Sequence, residues 1–171
     1  MVLFKLNIKN KFLLGFCIIF LVGIMCGCGL SNQDKNTNNN QKNMYNNNDK
    51  IVQVDNNYTY ITCRNTRSNN EIEIQYSGFS GIDTICFLEA KEDTEITFNY
   101  DSTVDNGKFK AVLVNTKNEV ETILEGTEQN SKTIKLAKGK YSFRNVGANA
   151  DGKIRIFISS NSNVKITEDN K

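Results

Sequence analysis

The chain has 171 residues, with 21 Lys and Arg against 19 Asp and Glu, a formal net charge of +2, and no His, Trp or Pro. Without His it lacks the commonest general base and the commonest zinc ligand, which excludes the usual serine, cysteine and metallohydrolase arrangements. The near-neutral balance shows none of the basic excess of a nucleic-acid binder, so no nucleic-acid partner is expected.

At the N-terminus, Lys5, Lys9 and Lys11 precede an apolar run from Phe12 to Met25. This is the order of a secretory signal peptide, and the run is short for a membrane-spanning helix. It ends in Met25-Cys26-Gly27-Cys28, which resembles the lipobox of bacterial lipoproteins. The resemblance implies removal of residues 1–27 and a diacylglyceryl thioether on Cys28. Cys26 is the rival acceptor; a conventionally cleaved secreted protein and an uncleaved membrane anchor are the alternatives. Two acyl chains on one residue give stable anchoring, so the expected location is the extracytoplasmic face of the cell membrane. Loss of the three signal lysines leaves 18 basic residues against 19 acidic ones, a net charge of −1.

Residues 28–57 read as a lipid-anchored, disordered tether. Nine Asn between Asn32 and Asn48 alternate with Lys, Gln, Asp and Ser, and only Met44, Tyr45, Ile51 and Val52 are candidates for burial. So little apolar area cannot offset the conformational entropy of ordering the segment. As a flexible coil it would reach roughly 30 Å.

Residues 58–167 suffice for one domain, with 168–171 a polar tail. Period-two alternation dominates, most cleanly in Glu71-Ile72-Glu73-Ile74-Gln75-Tyr76. Strands are expected at 58–63, 71–76, 82–90, 95–100, 108–115, 120–124, 133–136, 141–146 and 154–159. Asp105-Asn106-Gly107 and Asn149-Ala150-Asp151-Gly152 carry the chemistry of tight turns, and predict two hairpins pairing neighbouring strands. The fold class is therefore all-β, an antiparallel β-sandwich of jelly-roll type.

The runs Gly78-Phe79-Ser80-Gly81, Thr94 to Tyr100, Gly107 to Lys110, Lys138 to Tyr141 and Gly152 to Ile156 resemble the C-terminal domains of small clostridial-type Firmicutes surface lipoproteins. The pattern is similar to jelly-roll sandwiches of the galactose-binding and pre-peptidase C-terminal type, over most of Glu71 to Ser159. The resemblance implies a fold; fold alone does not carry function.

Outside the membrane, Cys63 and Cys86 read as one structural disulfide, with two buried thiols as the alternative. Asn99, Asp101 and Asp105 offer oxygen ligands that can take calcium, although polar turns favour the same residues. Otherwise no cofactor is expected. Tyr58, Tyr60, Tyr76, Phe79 and Tyr100 suit a sugar platform or, more simply, the core of a domain lacking Trp. Lys108 with Lys110, Lys140 with Arg144, and Lys153 with Arg155 share faces by spacing, and suggest a basic outer sheet surface opposite an acidic one. Glu71, Glu73, Glu89, Glu92, Asp93 and Glu95 are the acids available for carboxylate-pair catalysis, but their alternate exposed positions suit solubility better. The expectation is a non-catalytic module binding an anionic envelope polymer, such as a cell-wall polymer, or an envelope protein through its basic face. A structural envelope or spore-layer component is the alternative.

Overall fold

In the computed structural model the described residues are 40–53, 56–68 and 70–169. The expected signal peptide and the expected lipidation site, Cys28, lie outside them. The elements are α1 (Asn48–Gln53), β1 (Asn56–Thr59), β2 (Thr62–Ser68), β3 (Glu71–Ala90), β4 (Thr94–Asn115), β5 (Val120–Glu125), β6 (Glu128–Leu136), β7 (Gly139–Ser159) and β8 (Val164–Glu168). Among the described residues no helix is long and apolar enough to cross a membrane.

Three strands organise the molecule. β3, β4 and β7 are 20, 22 and 21 residues long. Straight, each would extend about 70 Å, roughly twice the diameter of a domain of this size. They must bend, and they bend together. β7 lies between β3 and β4, antiparallel to both. The register slips at Tyr76/Phe79/Gly81 in β3 and at Val104/Asn106/Lys108 in β4. The sheet folds over on itself there into two layers. Layer one contains β2, the first half of β3, the second half of β7, the first half of β4, and β6. Layer two contains β1, β8, the remaining halves of the long strands, and β5. The fold class read from the sequence is present.

The two expected hairpins are not. Asp105-Asn106-Gly107 and Asn149 to Gly152 lie inside continuous β4 and β7, facing each other in the ladder, with Asn106 opposite Asp151 and Lys108 opposite Ala148. Gly107 (φ 73°) and Asn149 (φ 53°) have the left-handed backbone that the sequence signalled. That conformation also serves a bulge that bends a strand without ending it. A Cβ on Gly107 would stand 2.1 Å from the Asn149 carbonyl oxygen, so the bends pack too closely for any side chain. Asp151 ties them together, accepting hydrogen bonds from the Gly78 amide (2.7 Å) and Asn106 Nδ2 (3.2 Å).

The core fills the space between the layers. Phe98 on layer one stacks on Phe143 of layer two with ring centroids 5.3 Å apart, and both are fully buried. Tyr76, Phe79 and Phe109 form a second aromatic group near the bends. Of the aromatic residues considered as a sugar platform, Tyr76, Phe79 and Tyr100 are thus core residues.

A second, smaller core lies on the outside of layer two. Met44, Tyr45 and Ile51 pack there against Ile82, Val112, Val114 and Val146. Part of the stretch read as tether therefore belongs to the folded unit, because its few apolar residues find an apolar sheet face to cover.

Candidate functional site

The six basic residues do not form one open surface. Lys110 and Arg144 do point outward from layer two, but α1 and the turn before it cover them. Arg144 is buried, its Nη1 donating to the Ile51 carbonyl (2.6 Å) and its Nε to Ser142 Oγ (2.7 Å). Lys110 is also buried, its ammonium 4.9 Å from the centre of the Tyr45 ring, with Lys108 at 5.9 Å. Burial lowers the Lys110 pKa, opposed by the charge of Glu125. Tyr45 closes the cluster by donating to Glu125 (2.8 Å). Its phenol is held well above the usual range, first by burial and then by Glu125.

Lys153 and Arg155 belong to the other layer. Arg155 pairs with Glu73 at 3.1 Å and Glu71 at 3.6 Å, so an expected basic residue and two expected acidic ones share one face. The hydrogen bond to Glu73 is the main reason that its pKa is raised. Lys140 stands opposite Glu89 in the ladder. The sequence gives the alternation along each strand but not which strands lie side by side, and this pairing mixes the charges.

The calcium trio is also divided. Asn99 and Asp101 line a shallow depression on layer one beside Arg155, whereas Asp105 lines a separate cleft near the bends. Among the described residues no group of three or more Cys, Asp or Glu is arranged to hold a metal ion.

Cys63 and Cys86 are not bonded to each other, which corrects the disulfide expectation. Cys63 is exposed on β2, opposite Tyr76; Cys86 is buried in the core, opposite Phe143. The β2 side chain that reaches across to this part of β3 is Arg67, whose Nη1 donates to the Ile85 carbonyl at 2.9 Å. Cys63 is four residues away along the strand, about 13 Å, beyond the reach of a disulfide. Burial pushes the Cys86 thiol up to about 12, with Arg67 opposing and Glu168 adding to the shift.

Four of the six acids considered for catalysis have structural partners. Glu71 and Glu73 hold Arg155, Asp93 accepts from the Lys138 amide (2.9 Å), and Glu92 accepts from Asn163 Nδ2.

A site that the sequence reading missed opens between β5 and β6, where the edges of the two layers separate. The cleft holds about 650 Å³, with Leu113, Val120, Ile134 and the Tyr141 ring among its lining. Lys117, Lys132, Lys135 and Lys138 line it against Glu119 and Glu121. Lys132 spans the opening, pairing with Glu121 (3.2 Å) and donating to the Thr122 carbonyl (2.6 Å). Asn115 Nδ2 donates to Glu119 (2.6 Å). Lys117, Lys135 and Lys138 have no side-chain partner among the described residues. They fall on one strand and two turns, so no single element displays them together.

No family model matches this chain, and no curated protein sequence does. Among solved structures, a mutant family 29 carbohydrate-binding module is similar over 60% of this chain and 81% of its own, at 11% identity and a TM-score of 0.33. A family 35 carbohydrate-binding module from an environmental isolate is similar over 68% of this chain and 87% of its own, at 16% identity and a TM-score of 0.34.

Proposed function

We propose that this protein is a non-catalytic binding module, held outside the cell membrane by a lipid on Cys28, and that it takes an anionic envelope polymer in the β5–β6 cleft. The observation that supports this reading is the cleft itself, with four lysines against two glutamates and both glutamates already engaged. A cleft lined by several lysines together with apolar side chains suits a chain carrying repeated negative charges. Its three side chains without partners can meet those charges without first breaking a protein contact. Because the charges are at the surface, the attraction is screened by salt within about 10 Å at 0.1 M.

The test is retention of the protein on purified wall fractions across a salt series, beside a variant with Lys117, Lys135 and Lys138 changed to Ser. Retention at low salt that is lost in the variant is the expected result. A variant with Lys108 and Lys153 changed to Ser keeps its retention. Equal retention by the cleft variant sinks the proposal.

A further inference from the structure

Among the described residues nothing covers the outer face of layer one. Neighbouring positions in the ladder place Ser68, Glu71, Phe157, Asn99 and Ser131 in one row across the five strands, and Thr66, Glu73, Arg155, Asp101 and Gln129 in the next. All ten are exposed. Nine are polar or charged. The tenth, Phe157, is 45% exposed on β7, the central strand of the layer. A depression of about 530 Å³ lies over this region.

We infer that this face binds a neutral glycan chain, with a sugar ring stacked on Phe157. A pyranose presents apolar C–H groups on its faces and hydroxyls at its rim, and an aromatic ring flanked by hydrogen-bonding groups complements both. Asn99 and Gln129 supply amides, Asp101 a carboxylate acceptor, and Arg155 spare N–H donors. Arg155 is positioned beside the ring by Glu71 and Glu73 before any ligand arrives.

Charge and area select this occupant over others. Arg64, Lys153 and Arg155 balance Glu71, Glu73 and Asp101 on this face, so neither a polyanion nor a polycation is favoured. A protein partner or a second copy of the chain needs an apolar centre within roughly 800 Å² per side, and one phenyl ring does not supply it. The site is separate from the β5–β6 cleft and does not depend on the reading given to that cleft.

The experiment is calorimetric titration of the full-length chain with soluble neutral oligosaccharides, one series of β-linked glucose and one of N-acetylglucosamine, repeated with Phe157→Ala and Phe157→Tyr. At least one series binds the unaltered chain, Phe157→Ala weakens it tenfold or more, and Phe157→Tyr restores it. Thermal melting of Phe157→Ala stays within a degree or two, separating lost stacking from lost folding. Absence of binding by both series, or equal binding by Phe157→Ala, overturns the inference.

Discussion

The same three strands form two outer faces with opposite fates. On layer one, Glu71, Glu73, Asn99, Asp101, Lys153 and Arg155 face outward and stay exposed. On layer two the corresponding outward positions include Ile82, Val112, Val114 and Val146, and a short segment with α1 buries them. The difference is written in period. Thr94 to Tyr100 alternates polar and apolar, as a strand with one buried face does, whereas Ala111-Val112-Leu113-Val114 is apolar without interruption and buried throughout. Continuous apolar runs belong to strands covered on both sides. The cover here comes from residues in a stretch whose composition argues for disorder.

The largest effect that can break this comparison comes from the core both faces share. Replacing Phe98 or Phe143 by Ala should cost about 3–5 kcal/mol, since each leaves a cavity between the layers. Chemical denaturation measures it. A cost below 1 kcal/mol would mean that the layers do not meet through these rings.

Next is the cover on layer two. Ile51 is fully buried, so Ile51→Ala should cost about 2–5 kcal/mol. Among the described residues Met44, Tyr45 and Ile51 have no counterpart over layer one, where Phe157→Ser should leave the melting curve unchanged. If Ile51→Ala also leaves it unchanged, the segment from Asn40 to Gln53 is not part of the folded unit.

The thiols give a third, smaller test. Cys63 should react with a thiol reagent in the native protein, and Cys86 only after unfolding, as peptide mapping would show. Resistance of both until reductant is added would restore the disulfide. The pH dependence has a definite sign. The folded pKa of Cys86, about 12, lies above its ordinary value of 9.0, so its contribution to stability is complete below pH 9 and is lost as pH rises toward 12. Cys86→Ala should flatten the onset of alkaline destabilisation between pH 9 and 10, before the tyrosines titrate.

The smallest effect should be a gain. The Tyr76 hydroxyl is buried and has no hydrogen-bond partner among the described residues. Removing an unsatisfied group by Tyr76→Phe should stabilise by about 1 kcal/mol. A loss of stability would reveal a partner for that hydroxyl.

Much of the fold was legible because alternation is local. Glu71 to Tyr76 has one buried face, and β4 ends at Asn115 and β5 starts at Val120 as the expected strands at 108–115 and 120–124 imply, with Asn118 between them at φ 63°. Gly107 and Asn149 were legible as positive-φ positions but not as bends, since a hairpin and a bulge ask for the same backbone. Whether the strand turns back or continues depends on long-range partners, here the coincidence of the bends in β3, β4 and β7. The candidate sites were less legible for a related reason. Arg155 was correctly placed on an outer face, but its pairing with Glu71 and Glu73 requires knowing that β3 lies beside β7. Lys117, Lys135 and Lys138 come together only where two strand edges and two turns converge, and no spacing along the chain announces that.

The binding claim is tested most directly by recording the amide spectrum of the isotope-labelled protein while titrating a soluble phosphodiester polymer at low salt. Shifts confined to residues 113–122 and 132–141, reversed by added salt, are the predicted result. Shifts centred elsewhere, or none at saturating polymer, would contradict the account and leave the lysines as guards that keep the β5 and β6 edges from pairing with other chains.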